Sequence, residues 1–183
     1  MSLWHLPKTA RIGGEIYEIR TDFREILEII SYFNNRELPE LFRWRIALAL
    51  FYEGQIPPEH RAEAMEYLSR FLRCGQPDTP GPRLLDWEQD AGAIISGVNA
   101  VAGQEVRQLP YVHWWTFLSW FSAIGQGELA MLVSLRDKLT RGQKLEPWEQ
   151  DFYRQNRRRV DLQPRYTPAE EEERARLNGM LNG

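Results

Sequence analysis

The chain has 183 residues and a mass of 21.6 kDa, which is long enough for one domain with its own hydrophobic core. Its composition, 43% hydrophobic and 27% charged, is that of a globular protein and excludes a disordered or fibrous chain. The net charge of −3 argues against nucleic-acid binding by the whole surface. One cysteine, Cys74, excludes an internal disulfide framework, and three histidines are too few for a His-rich catalytic or metal centre.

The N-terminal region predicts a β-hairpin at about 9–20. Gly13-Gly14 can adopt the positive φ angles of a two-residue turn, and the apolar Ile16 and Ile19 follow it. An isolated hairpin is only marginally stable in water. We therefore expect this hairpin to pack against the helices that follow.

Two helices are predicted next. The first begins at Asp22, which forms a D-x-x-E start signal with Glu25, and apolar residues then recur at helical spacing. The second begins near Pro39 and ends at Gly54. Because apolar residues cover two of its faces, we expect the second helix to be central and largely buried.

A third helix opens at Pro57-Pro58 and is expected to stop at Gly75. The segment 75–82 follows, and its three prolines and two glycines cannot form a helix or a central strand. We predict a loop here that separates a first helical layer from a second.

Four more helices are predicted after this loop. Asp86 with Gln89 caps the first of them, and Gly92 and Gly97 within it allow close packing or bending. Proline positions, glycine stops and apolar periodicity predict the other three. Their expected ranges are from Pro110 to about Gly125, from Glu128 to about Arg141, and from Pro147 to about Arg159.

Near the C-terminus, Thr167, Pro168 and Glu170 supply an N-cap, a first-turn proline and a capping-box acid. This pattern predicts a short acidic helix or tail over 165–183. The fold class is therefore mainly α. Residues 1–164 are predicted to form a single compact multi-helix bundle of about six to eight helices with a short N-terminal β-hairpin.

Motifs for catalysis are missing from the sequence, which contains no G-x-S-x-G elbow, P-loop or G-x-G-x-x-G segment. The histidines His5, His60 and His113 are far apart, and no carboxylate or cysteine lies at ligand spacing from them. Cys74 lies at a helix end and is interpreted as a structural or incidental thiol rather than a nucleophile. We expect a non-enzymatic protein with no catalytic residues, cofactor or metal.

The most apolar stretch, 111–124, is about 14 residues long, whereas a transmembrane helix needs about 20. The N-terminal residues also lack the basic-then-apolar order of a signal peptide. The sequence therefore predicts no association with a membrane.

The aromatic segment 113–121 is the most unusual feature of the sequence. At helical spacing Trp114 shares the apolar face with Phe117, whereas Trp115 lies among serines and Trp120 lies on the flank. Trp115 is then either covered by another element of the chain or exposed for a partner. Cover by another element of the chain is the favoured alternative. We predict that Trp114 is core and that Trp115 is more exposed than Trp114 or lies at a partner surface. Trp115 and Trp120 are taken as partner-binding candidates.

A basic run, Arg157, Arg158 and Arg159, is the best hint of nucleic-acid binding, because such clusters neutralise phosphates. Nearby acidic residues dilute its charge, and cations also suit the C-terminus of a helix. A solvated helix end is the favoured interpretation. The three arginines stay candidates for the charged rim of a partner surface.

Three blocks of the sequence resemble, in order, the bacteriophage Gp-fifteen family. They are Thr21-Asp22-Phe23-Arg24 after Tyr17-Glu18-Ile19, Asp86-x-x-x-Asp90-Ala91 before Ile94-Ile95, and 109–117 with His113-Trp114-Trp115 and Phe117. The blocks span roughly 12–160, whereas 35–85 and the tail after Pro164 resemble nothing recognisable.

The resemblance implies a siphophage tail-morphogenesis protein that is not an enzyme. Genes of this family typically lie between those of the major tail protein and the tape-measure protein. Members are therefore expected to be tail assembly chaperones that bind the tape-measure protein and help to recruit tail tube subunits. Such a protein works in the host cytoplasm, or is encoded by a prophage in a bacterium, and is absent from the mature virion.

Two other functions stay open at this point, as does homo-oligomerisation. One is a structural virion protein, such as a tail connector or completion protein. The other is a small nucleic-acid-binding regulator that uses the three arginines, although the pI of about 5.7 counts against it.

Overall fold

The computed structural model describes residues 4–77, 80–163, 169, 170 and 172. The named elements of these residues are eight α-helices, two short 3-10 helices (Pro58–His60 and Val106–Gln108) and one two-stranded antiparallel sheet, which confirms a mainly α fold with an N-terminal hairpin. The elements are β1 (Thr9–Ile12), β2 (Glu15–Glu18), α1 (Phe23–Asn34), α2 (Glu40–Phe51), α3 (Arg61–Leu72), α4 (Ala91–Ala102), α5 (Trp114–Ser122), α6 (Glu128–Thr140), α7 (Pro147–Gln155) and α8 (Arg157–Val160). The predicted C-terminal helix or tail falls outside the described residues, apart from 169, 170 and 172.

The described chain divides into two compact units. Lys8–Arg20 and Arg24–Ser69 form the hairpin unit, which holds β1, β2, α2 and most of α1 and α3. Thr21–Phe23 and Arg70–Gln163, together with 4–7, form the aromatic unit, which holds α4 to α8. That 1–164 forms a single domain stays a prediction.

The hairpin unit confirms the predicted hairpin and its dependence on helices. Gly13 and Gly14 have φ angles of 59° and 87°, which suit the two-residue turn between β1 and β2. The Gly13 N–H donates to Glu63 Oε2 at 2.9 Å, so the turn is fastened to α3. The Tyr67 hydroxyl of α3 also donates to the carbonyl of Thr9 at 2.9 Å.

The core of the hairpin unit takes one face from each of its helices. Its buried side chains include Ile26 and Ile29 of α1, Ala47, Leu48 and Phe51 of α2, and Ala64 and Leu68 of α3. The expectation that α2 is largely buried is wrong, since Leu41 and Phe42 are 67% and 53% exposed. Apolar residues surround α2, but within the described chain the neighbouring elements cover only one of its faces.

The end of α3 differs in detail from the prediction. Cys74 takes the left-handed conformation at φ 52°, and Gly75 follows it at φ 75°. The Gly75 N–H donates to the Arg70 carbonyl at 2.8 Å and the Cys74 N–H to the Phe71 carbonyl at 3.0 Å, the pattern of a Schellman motif. Cys74 therefore holds the position where glycine is usual, and Gly75 lies one residue later.

In the aromatic unit, the predicted close packing at Gly97 of α4 is confirmed. A Cβ on Gly97 would lie 2.8 Å from Ile124 Cδ1, whereas a Cβ on Gly92 would meet nothing within 4 Å. The helix predicted from Pro147 to about Arg159 is divided at Asn156 into α7 and α8. No helix within the described ranges is long and apolar enough to cross a membrane.

Candidate functional site: an aromatic cleft beside α5

His113 sets the start of α5. Its Nδ1 accepts a hydrogen bond of 3.0 Å from the Trp115 N–H, so it caps the helix. Because Nδ1 is an acceptor, Nε2 carries the ring N–H, and this N–H donates a hydrogen bond of 3.0 Å to the Pro7 carbonyl. The buried ring therefore ties the N-terminal segment to α5 in its neutral form.

The segment 21–23 pairs with the chain just before α5. The Phe23 N–H donates to the Val112 carbonyl at 2.9 Å, and the Trp114 N–H donates to the Thr21 carbonyl at 2.7 Å. Asp22, predicted from its spacing to cap α1, accepts the Val112 N–H on Oδ2 at 2.9 Å. These hydrogen bonds hold both backbone groups of Val112 and the Trp114 N–H outside the helix, and α5 begins at Trp114 rather than directly after Pro110.

Trp114 is buried, as predicted, and its indole N–H donates to the Leu72 carbonyl at 3.0 Å. The predicted contrast in exposure between Trp114 and Trp115 is wrong, because both side chains are buried. Trp115 is only 6% exposed, and its indole N–H donates to the Phe71 carbonyl at 2.9 Å. The end of α3 packs against Trp115, so Trp115 is covered by the same chain, which was the favoured alternative, while Ser119 and Ser122 stay exposed.

An open cleft of about 580 Å³ lies beside α5. Trp115, Leu118 and Trp120 are among the residues of α5 that line this cleft. Leu6 and Cys74 are among the lining residues from other parts of the chain. Leu6 is exposed, whereas Trp120 and Leu118 are half-buried, so the cleft offers apolar surface to solvent. The structure therefore brings the candidates Trp115 and Trp120 together, and Trp120 is the more accessible of the two.

The chemistry of this aromatic cleft suits binding rather than bond-making. Among the described residues that line it, Arg73 is the one charged side chain. Burial raises the pKa of the Cys74 thiol to about 11, so the thiol stays protonated near neutral pH. Among the described residues, no group of three or more His, Cys, Asp or Glu side chains could hold a metal ion.

The candidate arginines of α8 do not line the aromatic cleft. All three are exposed, but two of them have carboxylate partners. Arg157 donates to Asp161 at 3.1 Å, a hydrogen bond that raises the pKa of its guanidinium, and Arg159 forms an ion pair with Glu128. Arg158 is the exposed arginine of the run for which no carboxylate contact is seen in the described part of the chain.

The most consequential polar cluster of the aromatic unit is one that sequence reasoning missed. Arg136 of α6 and Asp90, at the start of α4, form a buried bidentate ion pair with distances of 2.6 and 2.8 Å. The other three guanidinium N–H groups donate to the carbonyls of Leu84, Arg159 and Val160. Since a guanidinium has five N–H donors, all of them are used.

Asp86 caps the turn that leads into α4, as its spacing to Gln89 predicted. Its Oδ1 accepts the N–H groups of Glu88 and Gln89 at 2.9 and 3.0 Å. The Gln89 side chain then donates to the Asp161 carbonyl and accepts from the Gln163 N–H, both at 2.9 Å. Asp86 and Asp90 thus hold the fold together and are not free for catalysis.

The three blocks that carry the family resemblance all contribute to the aromatic unit. Phe23 stacks on Phe117 with 4.5 Å between ring centroids, and Trp87, next to Asp86, lies 5.7 Å from Trp114. Thr21–Phe23 and the other two blocks therefore help to build this unit around α5, whereas Tyr17–Ile19 and Arg24 belong to the hairpin unit.

Comparison with protein families agrees with this resemblance. The sequence model of the family described as Bacteriophage Gp15 protein matches residues 4–162. No curated protein and no solved structure matches the chain.

Proposed function

Since the chain belongs to the bacteriophage Gp15 family, which indicates a phage structural or morphogenesis protein, we propose that it is a non-enzymatic tail assembly chaperone. In this role it binds the tape-measure protein and helps to recruit tail tube subunits. The observation that supports binding of this kind is the aromatic cleft, an open apolar surface on an element to which the blocks of the family resemblance contribute.

The aromatic cleft has the properties that recognition of an apolar helix requires. Along α5, Trp120 provides a rigid aromatic contact surface and Leu118 an aliphatic one. Leu6 adds further apolar surface. An amphipathic helix binds such a groove through apolar side chains spaced at i, i+3, i+4 and i+7. A tape-measure protein is long and helical, and its apolar stripes would aggregate if they were exposed before the tube forms.

Weak binding at each site is compatible with this role. Many copies along one filament would act together through avidity, while each copy stays displaceable by an arriving tube subunit.

The proposal that the protein has no catalytic activity is supported by its polar side chains. His113, Asp86, Asp90 and Arg136 are buried and are engaged in hydrogen bonds that hold the fold.

The test is co-expression with the tape-measure protein encoded beside this chain. We expect the tape-measure protein to become soluble and to co-purify with the wild-type chain. Trp120→Ala should weaken the complex by about thirty-fold in Kd, the loss of an interface hot spot of about 2 kcal/mol. Trp148→Ala is the matched control, because Trp148 is 59% exposed but lies outside the aromatic cleft.

The chaperone proposal fails if the tape-measure protein is equally soluble without this chain and the two do not co-purify at low salt. It also fails at this site if Trp120→Ala and Trp148→Ala bind equally well. Mass spectrometry of purified particles separates the remaining functions, since a structural virion protein would be present there in fixed copy number.

A further inference from the structure

We propose that α2 and the start of α3 form a groove that binds an acidic amphipathic helix of a partner protein. This α2 groove consists of Leu41, Phe42, Arg45, Ala49 and Arg61. It belongs to the hairpin unit and shares no residue with the aromatic cleft. It therefore adds a second docking surface to the proposed function.

The apolar part of the α2 groove is the uncovered face of α2. Leu41 and Phe42 are both largely exposed, and Ala49 is exposed further along the same helix. Leu41, Arg45 and Ala49 follow one another at intervals of four residues, so they lie in one row on the helix surface. The side chains that α2 contributes to the core of the hairpin unit, Ala47, Leu48 and Phe51, lie on the neighbouring face.

The row continues into a concave site of about 360 Å³. Arg45 and Ala49 of α2 and Arg61 of α3 line it, and the buried side chains of Leu48 and Ile56 form its apolar part. An exposed apolar row that leads into a concavity is the shape in which a helix lays its apolar face.

The charge of the α2 groove selects the partner. Arg45 and Arg61 are exposed, and neither forms an ion pair or a side-chain hydrogen bond among the described residues. The described lining of the concavity contains no Asp or Glu, although the chain as a whole has a net charge of −3. Two uncompensated guanidinium groups, one within the row and one at its end on α3, complement carboxylates that flank an apolar stripe.

A nucleic acid fits this surface less well than a protein helix. Phosphate binding requires clustered cations and makes no use of an apolar row. In the α2 groove the apolar side chains Leu41, Phe42 and Ala49 outnumber the two arginines. The combination is that of a helix-binding groove with charged selectivity at its edge.

The test uses two fluorescent peptides of about 21 residues, three heptads with leucine at positions a and d. One peptide carries glutamate at e and g, and the other carries lysine there. Anisotropy titrations with the full chain at about 0.15 M NaCl should show the glutamate peptide binding at least about ten-fold tighter. The double variant Arg45→Glu, Arg61→Glu should reverse this preference, because it changes the sign of the charge at the edge.

Two further variants locate the site. Phe42→Ser should weaken binding of the glutamate peptide. It should leave the circular dichroism spectrum of the protein unchanged, because Phe42 is exposed. The matched control, Lys144→Glu with Arg154→Glu, changes the same net charge at exposed positions outside the α2 groove and should leave peptide binding unchanged.

Three results would overturn the proposal. The first is no saturable binding of the glutamate peptide, or an unchanged preference in the double variant. The second is displacement of the peptide by a single-stranded oligonucleotide at the same salt, which would assign the two arginines to phosphates. The third is a wild-type dimer in sedimentation that Phe42→Ser converts to a monomer, which would assign the α2 groove to a second copy of this chain.

Discussion

Replacement of Arg136 by methionine should destabilise the protein by about 3–5 kcal/mol, the range for breaking a buried ion pair. The guanidinium and the Asp90 carboxylate are 4% and 2% exposed, so Asp90 would be left as a buried charge without its cation. Three backbone carbonyls, of Leu84, Arg159 and Val160, would lose a donor as well. Each unsatisfied buried acceptor costs about 1 kcal/mol or more. Water that enters the site would relieve part of this cost, so we keep about 3–5 kcal/mol as the expected total loss of stability.

The assay is urea denaturation followed by tryptophan fluorescence and by circular dichroism. Arg136→Met should lower the midpoint with little change in slope, and Arg136→Lys should also lower it because lysine has three donors and no planar fork. The matched control is Arg154→Met. Arg154 pairs with Asp151 on the surface, where both side chains are more than half exposed, so the loss should stay below about 1 kcal/mol.

A combined variant, Asp90→Leu with Arg136→Met, separates the pair from its surroundings. Because the charge that would be stranded is also removed, it should be more stable than Arg136→Met alone. The reasoning is refuted if Arg136→Met costs no more than Arg154→Met, since Arg136 would then contribute no more than a surface cation. It is also refuted if the double variant is the less stable of the two.

Three other predictions concern the aromatic unit. In α4, Gly97→Ala should destabilise by about 1–2 kcal/mol because its Cβ has no room, whereas Gly92→Ala should stabilise by about 0.5–1 kcal/mol; thermal unfolding of the two variants checks the opposite signs. Because burial raises the pKa of the Cys74 thiol to about 11, about one thiol in a thousand is ionised at pH 8, against about one in four for an ordinary thiol. Its alkylation by iodoacetamide, followed by mass spectrometry, should therefore be slow at pH 8 and should rise until about pH 11; a midpoint near pH 8.5 would contradict this. Trp114→Ala and Trp115→Ala should each cost about 3–5 kcal/mol in urea denaturation, and a Trp115 variant close to wild type would contradict its burial against α3.

The candidate site was only partly visible in the sequence. Helical periodicity placed Trp114 and Trp120 correctly, because a side chain's face follows from its position in the helix. It could not show that the end of α3 covers Trp115, since that contact joins Trp115 to Phe71 across 44 residues. A tryptophan among serines therefore gave the same pattern whether it was covered or exposed.

What the sequence alone determined are the features that neighbouring residues decide: the Gly13-Gly14 turn, the helix starts at Pro39 and Pro147, and the Asp86 cap. Each depends on backbone angles or hydrogen bonds within a few residues, and local chemistry has one favoured solution there. The tertiary structure decided which apolar faces are covered, so Trp115 is buried and Phe42 is not. It also decided the pairing of Arg136 with Asp90, which are 46 residues apart. No local pattern distinguishes these two side chains from a solvated arginine and aspartate, because only the packing of α6 against the start of α4 removes water from both.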